Sequence, residues 1–224
     1  MLSDNAIQRL VGRCLTTLRK ATAQFQKPAA TQIIEQYGKK PYLILISCIL
    51  SLRTKDTVSL PASIRLFTCA TTPEAMLQVP LGVIERVIYT CGFYRTKAKT
   101  IHSISADLID RFAGLVPADR QSLLTLKGVG PKTANLVLSE AFDIPAICVD
   151  THVHRISNRL GIVSTQTPEQ TEAALKKVLP PHYWGEWNRL LVMWGQNVCV
   201  PISPKCSTCP LLPVCKRVGV TQSR

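Results

Sequence analysis

Four cysteines near the C-terminal end of the sequence have a spacing that suits a metal centre. They follow the pattern C-x6-C-x2-C-x5-C, and they are Cys199, Cys206, Cys209 and Cys215. Four thiolates can hold either a tetrahedral zinc ion or an iron–sulfur cluster, and Cys-x2-Cys is common in both kinds of site. The spacing alone predicts a metal centre and leaves both identities open.

A turn containing two glycines lies upstream of this run, and it consists of Lys127, Gly128, Val129 and Gly130. Glycine lets the backbone come close to a ligand, and the N–H groups at the start of the next helix attract an anion. A DNA phosphate fits such a turn, so these residues are predicted to contact DNA. The structural alternative is a sharp connection between helices that needs glycine only for its dihedral angles.

Lys132 stands in the first turn of the helix predicted to begin at Pro131, a position where proline is well tolerated. The helix macrodipole disfavours a cation there by roughly 0.3 to 1 kcal/mol. A purely structural position would therefore tend to avoid lysine, whereas a nucleophilic lysine needs its amine uncharged. We predict that Lys132 is a catalytic nucleophile.

A carboxylate that could act together with this amine follows at Asp150. Asp150 also precedes a helix with apolar residues at Val153, Ile156 and Leu160, so it is predicted to be an N-cap. The two roles are compatible, because a carboxylate at a helix N-terminus stays ionised and fixed. It can stabilise an oxocarbenium-like sugar while a glycosidic bond breaks, or assist proton transfer.

The charge of the chain favours a polyanionic partner. Lys and Arg number 27 against 14 acidic residues, which gives a net charge of +13. Nucleic acid is the commonest polyanion that such a protein meets. The richest apolar stretch, residues 42–50, is about half of the roughly 20 residues that a membrane span needs. We expect a buried helix there and no membrane contact.

The cysteine content favours a reducing compartment, in which disulfides do not persist. The cysteines outside the run lie among apolar residues and are predicted to fill core positions as free thiols; they are Cys14, Cys48, Cys69, Cys91 and Cys148. No secretory signal is recognisable at the N-terminus, so we expect a cytoplasmic location, associated with the nucleoid if the source is prokaryotic.

Apolar residues at helical spacing, interrupted by short Pro and Gly segments, predict an all-α fold. One helix should end near Leu126, and the next should begin at Pro131 with its apolar face at Ala134, Val137, Leu138 and Ala141. The two helices and their turn form a helix-hairpin-helix. The polar tail after Cys215 is predicted to fray.

These motifs, in this order, resemble the endonuclease III family of helix-hairpin-helix DNA glycosylases. The resemblance rests on residues 126–135, on residues 149–153 and on the four-cysteine run, and it covers nearly the whole chain. It implies a bifunctional DNA N-glycosylase and apurinic/apyrimidinic lyase of base excision repair, acting on oxidised or damaged pyrimidines in double-stranded DNA. Lys132 would displace the base through a Schiff base with help from Asp150, and β-elimination would cut the strand on the 3′ side.

The resemblance also implies an architecture of two helical domains with a DNA groove between them. A six-helix barrel with the hairpin would span residues 34–144, and a discontinuous iron–sulfur domain would join residues 1–33 to residues 145–224. The resemblance selects a 4Fe-4S cluster for the four cysteines, because their wider gaps match the cluster loop of the family. We expect a monomer.

Members of this family extrude the damaged base, at a cost of a few kcal/mol, and fill the gap with side chains. The matching positions here are Arg53 and Phe93, where the best-known members carry Gln and Leu. Arg53 would donate to the orphaned base and Phe93 would stack as a wedge, and the preferred opposite base is left open. A core aromatic is the alternative for Phe93. Lys97 and Lys99 are assigned either to phosphate contacts or to a solvated face.

Two other functions fit parts of the pattern. A monofunctional mismatch glycosylase of the same superfamily would remove thymine or uracil opposite guanine, but such members generally lack a lysine at the position of Lys132. A non-catalytic module with a zinc knot would only bind the DNA backbone, and it would have no use for Lys132 together with Asp150.

Overall fold

The computed structural model describes residues 4–224, with side chains from Ala6 onward. Over these residues the chain forms twelve α-helices, two short 3-10 helices and no strand, which confirms the all-α prediction. The α-helices are α1 (Asp4–Ala21), α2 (Ala29–Tyr37), α3 (Pro41–Ser51), α4 (Asp56–Cys69), α5 (Pro73–Gln78), α6 (Leu81–Val87), α7 (Tyr94–Phe112), α8 (Arg120–Thr125), α9 (Pro131–Phe142), α10 (Thr151–Leu160), α11 (Pro168–Val178) and α12 (Trp184–Asn197). The 3-10 helices are Pro181–Tyr183 and Leu212–Val214. None of the described helices has the length and apolar character needed to cross a membrane.

The chain separates into two compact units. The hairpin unit runs from Pro28 to Ile144, and the cysteine unit joins the described residues up to Lys27 to Pro145–Arg224. The predicted boundary at residue 34 is wrong, because it would divide α2, which packs against α3 and α4. The start of α2 is tied to the same unit, since the Ala29 N–H donates to Asp56 Oδ2 at 3.2 Å. Residues 1–3 of the predicted segment 1–33 lie outside the described residues.

The hairpin unit is built around α3. Its residues 42–50 are all buried, as the apolar stretch predicted, and α2, α4, α7 and α9 pack against it. Each apolar side chain fully removed from water contributes about 1.5 to 3 kcal/mol to folding. The one phenol of α3 is satisfied, because the Tyr42 hydroxyl hydrogen-bonds the Ser105 hydroxyl at 2.7 Å. Burial raises the pKa of Tyr42.

The predicted helix-hairpin-helix is present as α8 and α9. Asp119 caps α8, since its Oδ1 accepts from the Ser122 N–H at 2.8 Å, and this bond lowers the pKa of Asp119. Helix α9 begins at Pro131, as predicted. The predicted apolar face of α9 is buried at every position, namely Ala134, Val137, Leu138 and Ala141. The hairpin is therefore held by one apolar face and positioned by its caps.

The core of the cysteine unit joins distant parts of the chain. Leu15 and Leu18 of α1 are buried in one cluster with Trp187 of α12. The predicted apolar residues of α10 belong to the same cluster; they are Val153, Ile156 and Leu160. Helix α10 ends at Gly161, which adopts a φ of 75° that favours glycine.

Candidate functional site

The turn between α8 and α9 presents backbone and one basic side chain. The Val129 N–H closes the turn by donating to Leu126 O at 3.1 Å, and the Ala134 N–H donates to Gly130 O at 2.9 Å as α9 begins. The amides ahead of Ala134 form the positive end of α9, where anions are favoured. Lys127 is exposed, whereas the Val129 side chain is buried. The Val129 N–H is thus used within the turn, whereas the Lys127 side chain faces solvent.

The two glycines of the turn differ in what they require. Gly128 has a φ of 77°, and a Cβ there would lie 2.9 Å from Thr100 Cγ2, so the fold itself needs glycine. Gly130 has an ordinary φ of −93°, and a Cβ there would meet no described atom within 4 Å. Nothing inside the hairpin unit explains glycine at position 130. Its missing side chain leaves open space at the helix end where a ligand backbone could approach.

Lys132 is the second residue of α9, and it is exposed. The buried thiol of Cys48 in α3 lies close enough to feel its charge: burial raises the pKa of Cys48 to about 12, and Lys132 acts in the opposite direction. Cys48 therefore stays a protonated core thiol and does not compete as a nucleophile. Lys132 presents an exposed side chain at this helix end, where the sequence predicts the nucleophile.

Asp150 is the N-cap of α10, as predicted. Its Oδ1 accepts from the backbone N–H groups of His152 at 2.8 Å and Val153 at 2.9 Å. These bonds fix the orientation of the half-buried carboxylate. Lys132 belongs to the hairpin unit and Asp150 to the cysteine unit.

Arg155 ties the first turn of α10 to the first cysteine of the run. Its Nε and Nη2 donate to Cys199 O at 3.1 and 2.8 Å, and Nη2 also donates to Gly195 O at 3.1 Å. Nη1 donates back to Thr151 O at 3.3 Å. Burial lowers the pKa of Arg155. Arg155 was not predicted from the sequence, because an arginine four residues inside a helix carries no signal for such contacts.

Arg53 and Phe93 are brought together, although forty positions of sequence separate them. The Arg53 Cζ lies 4.9 Å from the centroid of the Phe93 ring, which is a cation–π contact. Both residues have left-handed backbone, with φ of 53° and 57°, a conformation that costs a non-glycine residue roughly 1 to 3 kcal/mol. Phe93 is 60% exposed, so the alternative of a core aromatic is wrong. The two predicted wedge residues form one exposed pair.

Lys97 is buried, so both assignments predicted for it from sequence, a phosphate contact and a solvated face, are wrong. It is 6% exposed, and its Nζ donates to Leu50 O and to Thr54 Oγ1, each at 2.7 Å. Burial lowers the pKa of the Lys97 ammonium. Its burial could have been predicted from the apolar periodicity of α7, because Lys97 lies one turn before buried Ile101. Lys99 is exposed.

The four predicted ligand cysteines share one cavity with mainly apolar walls; they are Cys199, Cys206, Cys209 and Cys215. Burial raises the pKa of Cys209 and Cys215, and the other thiols of the run raise it further, because like charges in one cavity repel. Arg159 is buried beside them and donates through Nη1 to Cys199 Sγ at 3.3 Å. Four thiols and a buried guanidinium supply the chemistry of a thiolate-bound metal centre, since the guanidinium would offset the negative charge of the sulfurs, but the side chains as they stand do not form a group that holds an ion.

Within residues 4–224, no three His, Cys, Asp or Glu side chains are arranged to hold a metal ion.

The loop and tail around this cavity are fixed by backbone contacts. Arg159 also donates to Val200 O at 2.8 Å and to Pro201 O at 2.7 Å. The Arg224 N–H donates to Pro204 O at 2.9 Å, and Arg224 O accepts from the Ser207 N–H at 3.1 Å. The prediction that the tail frays is wrong, because its last residue pairs with the cysteine loop.

Four of the five remaining cysteines are buried as predicted; they are Cys14, Cys48, Cys91 and Cys148. Cys69 is exposed, so its prediction as a core residue is wrong. It is the last residue of α4, and its thiol points back to Arg65 O at 3.7 Å. All nine cysteines are free thiols.

The sequence matches one family model and several relatives of known name. Residues 46–181 match the family model described as HhH-GPD superfamily base excision DNA repair protein. Endonuclease III of Thermotoga maritima is 43% identical over 192 residues, which cover 84% of this chain and 90% of the relative. Endonuclease III of Bacillus subtilis is 39% identical over 183 residues, which cover 81% and 84%. Endonuclease III-like protein 1 of mouse is 44% identical, and the match spans 57% of its length.

The fold of the chain also matches solved structures of Endonuclease III. A non-covalent Endonuclease III–DNA complex and a trapped Endonuclease III–DNA covalent intermediate each superimpose with a TM-score of 0.83, at 36% identity and over 97% of both chains. A thermostable thymine-DNA glycosylase superimposes with a TM-score of 0.80 at 25% identity, over 95% of this chain and 97% of that one.

Proposed function

Since the chain belongs to the HhH-GPD superfamily of base excision DNA repair proteins, we propose that it is a bifunctional DNA N-glycosylase and apurinic/apyrimidinic lyase. Its substrate is double-stranded DNA that contains oxidised or damaged pyrimidines. The observation that carries the proposal is the exposed Lys132 in the first turn of α9, directly after the glycine turn. A trapped covalent DNA intermediate of a relative with 36% identity supports it.

The reaction uses the amine as nucleophile and the carboxylate as its partner. Lys132 Nζ attacks C1′ of the damaged nucleotide, the bond from C1′ to the base breaks, and the electron pair leaves with the base, which takes up a proton. Ionised Asp150 stabilises the positive charge that develops at the sugar and accepts a proton from the attacking amine. Opening of the sugar ring then yields a Schiff base between Lys132 and C1′.

The Schiff base makes the second step possible. Because the iminium withdraws electrons, a proton can be removed from C2′, the bond from C3′ to oxygen breaks, and the 3′ phosphate leaves with its electron pair. Water then hydrolyses the imine and restores the free lysine. This sequence cuts the strand by β-elimination without any metal at the reacting atoms.

Contacts to DNA are assigned to two exposed parts of the hairpin unit. Lys127, Gly128 and Gly130 bind a phosphate at the start of α9, where the helix dipole favours it. Arg53 and Phe93 fill the gap that the extruded nucleotide leaves, with Phe93 stacking on a neighbouring base and Arg53 donating to the orphaned one. The net charge of +13 supports DNA as the partner, and free thiols throughout the chain support a cytoplasmic location.

We infer that the four cysteines of the cavity hold a 4Fe-4S cluster rather than zinc. Four thiols in one largely apolar cavity beside a buried arginine support this, because such a setting suits a cluster with several charged sulfurs. Cys199, Cys206, Cys209 and Cys215 would hold the cluster, and it would supply structural cross-linking between them. Purified protein should contain iron and sulfide and no stoichiometric zinc, and Cys206→Ser should lower the iron content. Cys69→Ser is the matched control, because Cys69 is exposed on α4 and should leave the iron content unchanged.

Borohydride trapping tests the proposed function. Wild-type protein should form a covalent adduct with duplexes that contain thymine glycol or an abasic site, and mass spectrometry should locate the modification on Lys132. Lys132→Gln should abolish the adduct while duplex binding is retained. Lys127→Gln is the matched control, since it removes a charge from the same turn and should still form the adduct at saturating protein.

The alternatives give different results. An adduct on another residue would show that Lys132 is not the nucleophile. Release of thymine opposite guanine with no adduct would make the protein a monofunctional mismatch glycosylase, and DNA binding without release of any base would leave only a binding module.

A further inference from the structure

Two loops of the hairpin unit carry the exposed Arg53–Phe93 pair, and they lie side by side. A Cβ built on Gly92 would lie 3.4 Å from Arg53 O and 3.7 Å from Thr54 Oγ1. Gly92 directly precedes Phe93, and Thr54 directly follows Arg53. A side chain at position 92 would therefore make an ordinary van der Waals contact with the loop that carries Arg53.

Lys97 links the same two loops from beneath. Its backbone N–H donates to Phe93 O at 3.0 Å in the first turn of α7. Its ammonium reaches across to Thr54 Oγ1 and to Leu50 O near the end of α3, each at 2.7 Å. One residue is therefore bonded to Phe93 through its backbone and to the neighbour of Arg53 through its side chain.

A buried ammonium is a poor choice for stability alone. Removing it from water costs several kcal/mol unless hydrogen bonds replace the lost hydration, and an apolar side chain of similar length would avoid that cost. The partners that the structure gives it are a carbonyl and a hydroxyl rather than a carboxylate. What the ammonium supplies and an apolar side chain cannot is a directional bond to the loop that holds Arg53 in left-handed backbone.

We propose that Lys97 is a positioning residue that holds Arg53 and Phe93 in one rigid frame, so that the pair enters the DNA as a unit when the damaged nucleotide leaves the stack. This inference rests on the proposed function. It predicts that loss of the frame slows the step that needs insertion into a paired duplex and spares the chemistry at Lys132.

Two reactions separate insertion from chemistry. The first is single-turnover release of thymine glycol from a duplex, and the second is strand cleavage at an abasic site in a single-stranded oligonucleotide, where no base pair has to be opened. Lys97→Met should lower the first rate about tenfold to a hundredfold, the range that a misplacement of about 1 Å produces. The second rate at saturating protein should stay unchanged.

Thr54 offers a milder and isosteric test, for the case in which Lys97→Met fails to fold. Thr54→Val removes the acceptor of the Lys97 bond at nearly equal volume and should lower the ratio of the two rates. Thr54→Ser keeps the hydroxyl and should restore the ratio of the wild type. A 2-aminopurine base placed opposite the lesion provides a direct readout, because its fluorescence rises when the wedge unstacks it, and Lys97→Met and Thr54→Val should reduce that rise.

The outcomes separate the inference from the proposed function. A wild-type protein that cleaves neither substrate would overturn the proposed function. An active wild type whose two rates fall equally in Lys97→Met, or whose ratio is the same in Thr54→Val and Thr54→Ser, would overturn the positioning role.

Discussion

One oxygen of Asp150 caps α10, and this allows its structural and chemical roles to be separated. Asparagine caps a helix about as well as aspartate, so Asp150→Asn should keep the melting temperature close to that of the wild type. Asparagine carries no charge, so single-turnover release of the damaged base should slow by roughly a hundredfold to ten-thousandfold. Calorimetry and a single-turnover assay on one preparation measure both quantities.

The control for this substitution is Asp150→Ala, which removes cap and charge together. It should lose about 1 kcal/mol of stability, and it should also release the damaged base more slowly than the wild type. A normal rate in Asp150→Asn would reduce Asp150 to a helix cap.

Single residues also show where sequence reasoning stops. Lys132 and Asp150 could be placed at their helix ends because Pro131, the glycine turn and the cap residue are local signals. The contact of Arg53 with Phe93 could not be derived that way, because non-glycine residues rarely adopt positive φ and the pair depends on how two loops meet. The burial of Lys97 was missed because lysine is almost never a core residue.

At the scale of an element, the turn between α8 and α9 contains one glycine that the fold requires, Gly128, and one that it does not require, Gly130. Gly128→Ala should destabilise the protein by about 1 kcal/mol or more. The new side chain would sit at a positive φ and would lie too close to Thr100. Gly130→Ala should leave stability unchanged or slightly raised, since its φ is ordinary and its Cβ meets open space. It should weaken duplex binding, because the methyl group projects where a phosphate approaches.

Thermal melting and fluorescence anisotropy with a labelled duplex check both substitutions. Unchanged duplex binding by Gly130→Ala would show that the turn does not contact DNA. Unchanged stability of Gly128→Ala would show that the turn relaxes around the new methyl group.

Elements with local sequence signals were predicted well, and those fixed by distant partners were not. The hairpin, the buried α3 and the cap of α10 follow from periodicity and from Pro, Gly and Asp positions. The tail was predicted to fray because its composition is polar, whereas Arg224 is held by backbone bonds to Pro204 and Ser207 that composition does not reveal. The first domain boundary was misplaced for a related reason, since α2 joins its unit through packing.

For the whole molecule, the positive charge makes binding depend on salt. Each phosphate neutralised by the protein releases counterions, so the logarithm of the binding constant should fall linearly with the logarithm of salt concentration, by about 0.9 per phosphate contact. Lys127→Gln should reduce the steepness by about one contact. Anisotropy titrations of one undamaged duplex between 50 and 200 mM salt measure the slope, and an unchanged slope in the variant would exclude Lys127 from the phosphate contacts.

The discontinuous core of the cysteine unit has a consequence for biosynthesis. Helix α1 leaves the ribosome long before α12, yet its buried residues Leu15 and Leu18 share one core cluster with Trp187 and Leu191 of that helix. At about 5 to 20 residues per second, this apolar face waits roughly 10 to 30 s for its partners. The hairpin unit is synthesised whole within that interval. Newly made α1 is thus a natural target for chaperones that cover exposed helices.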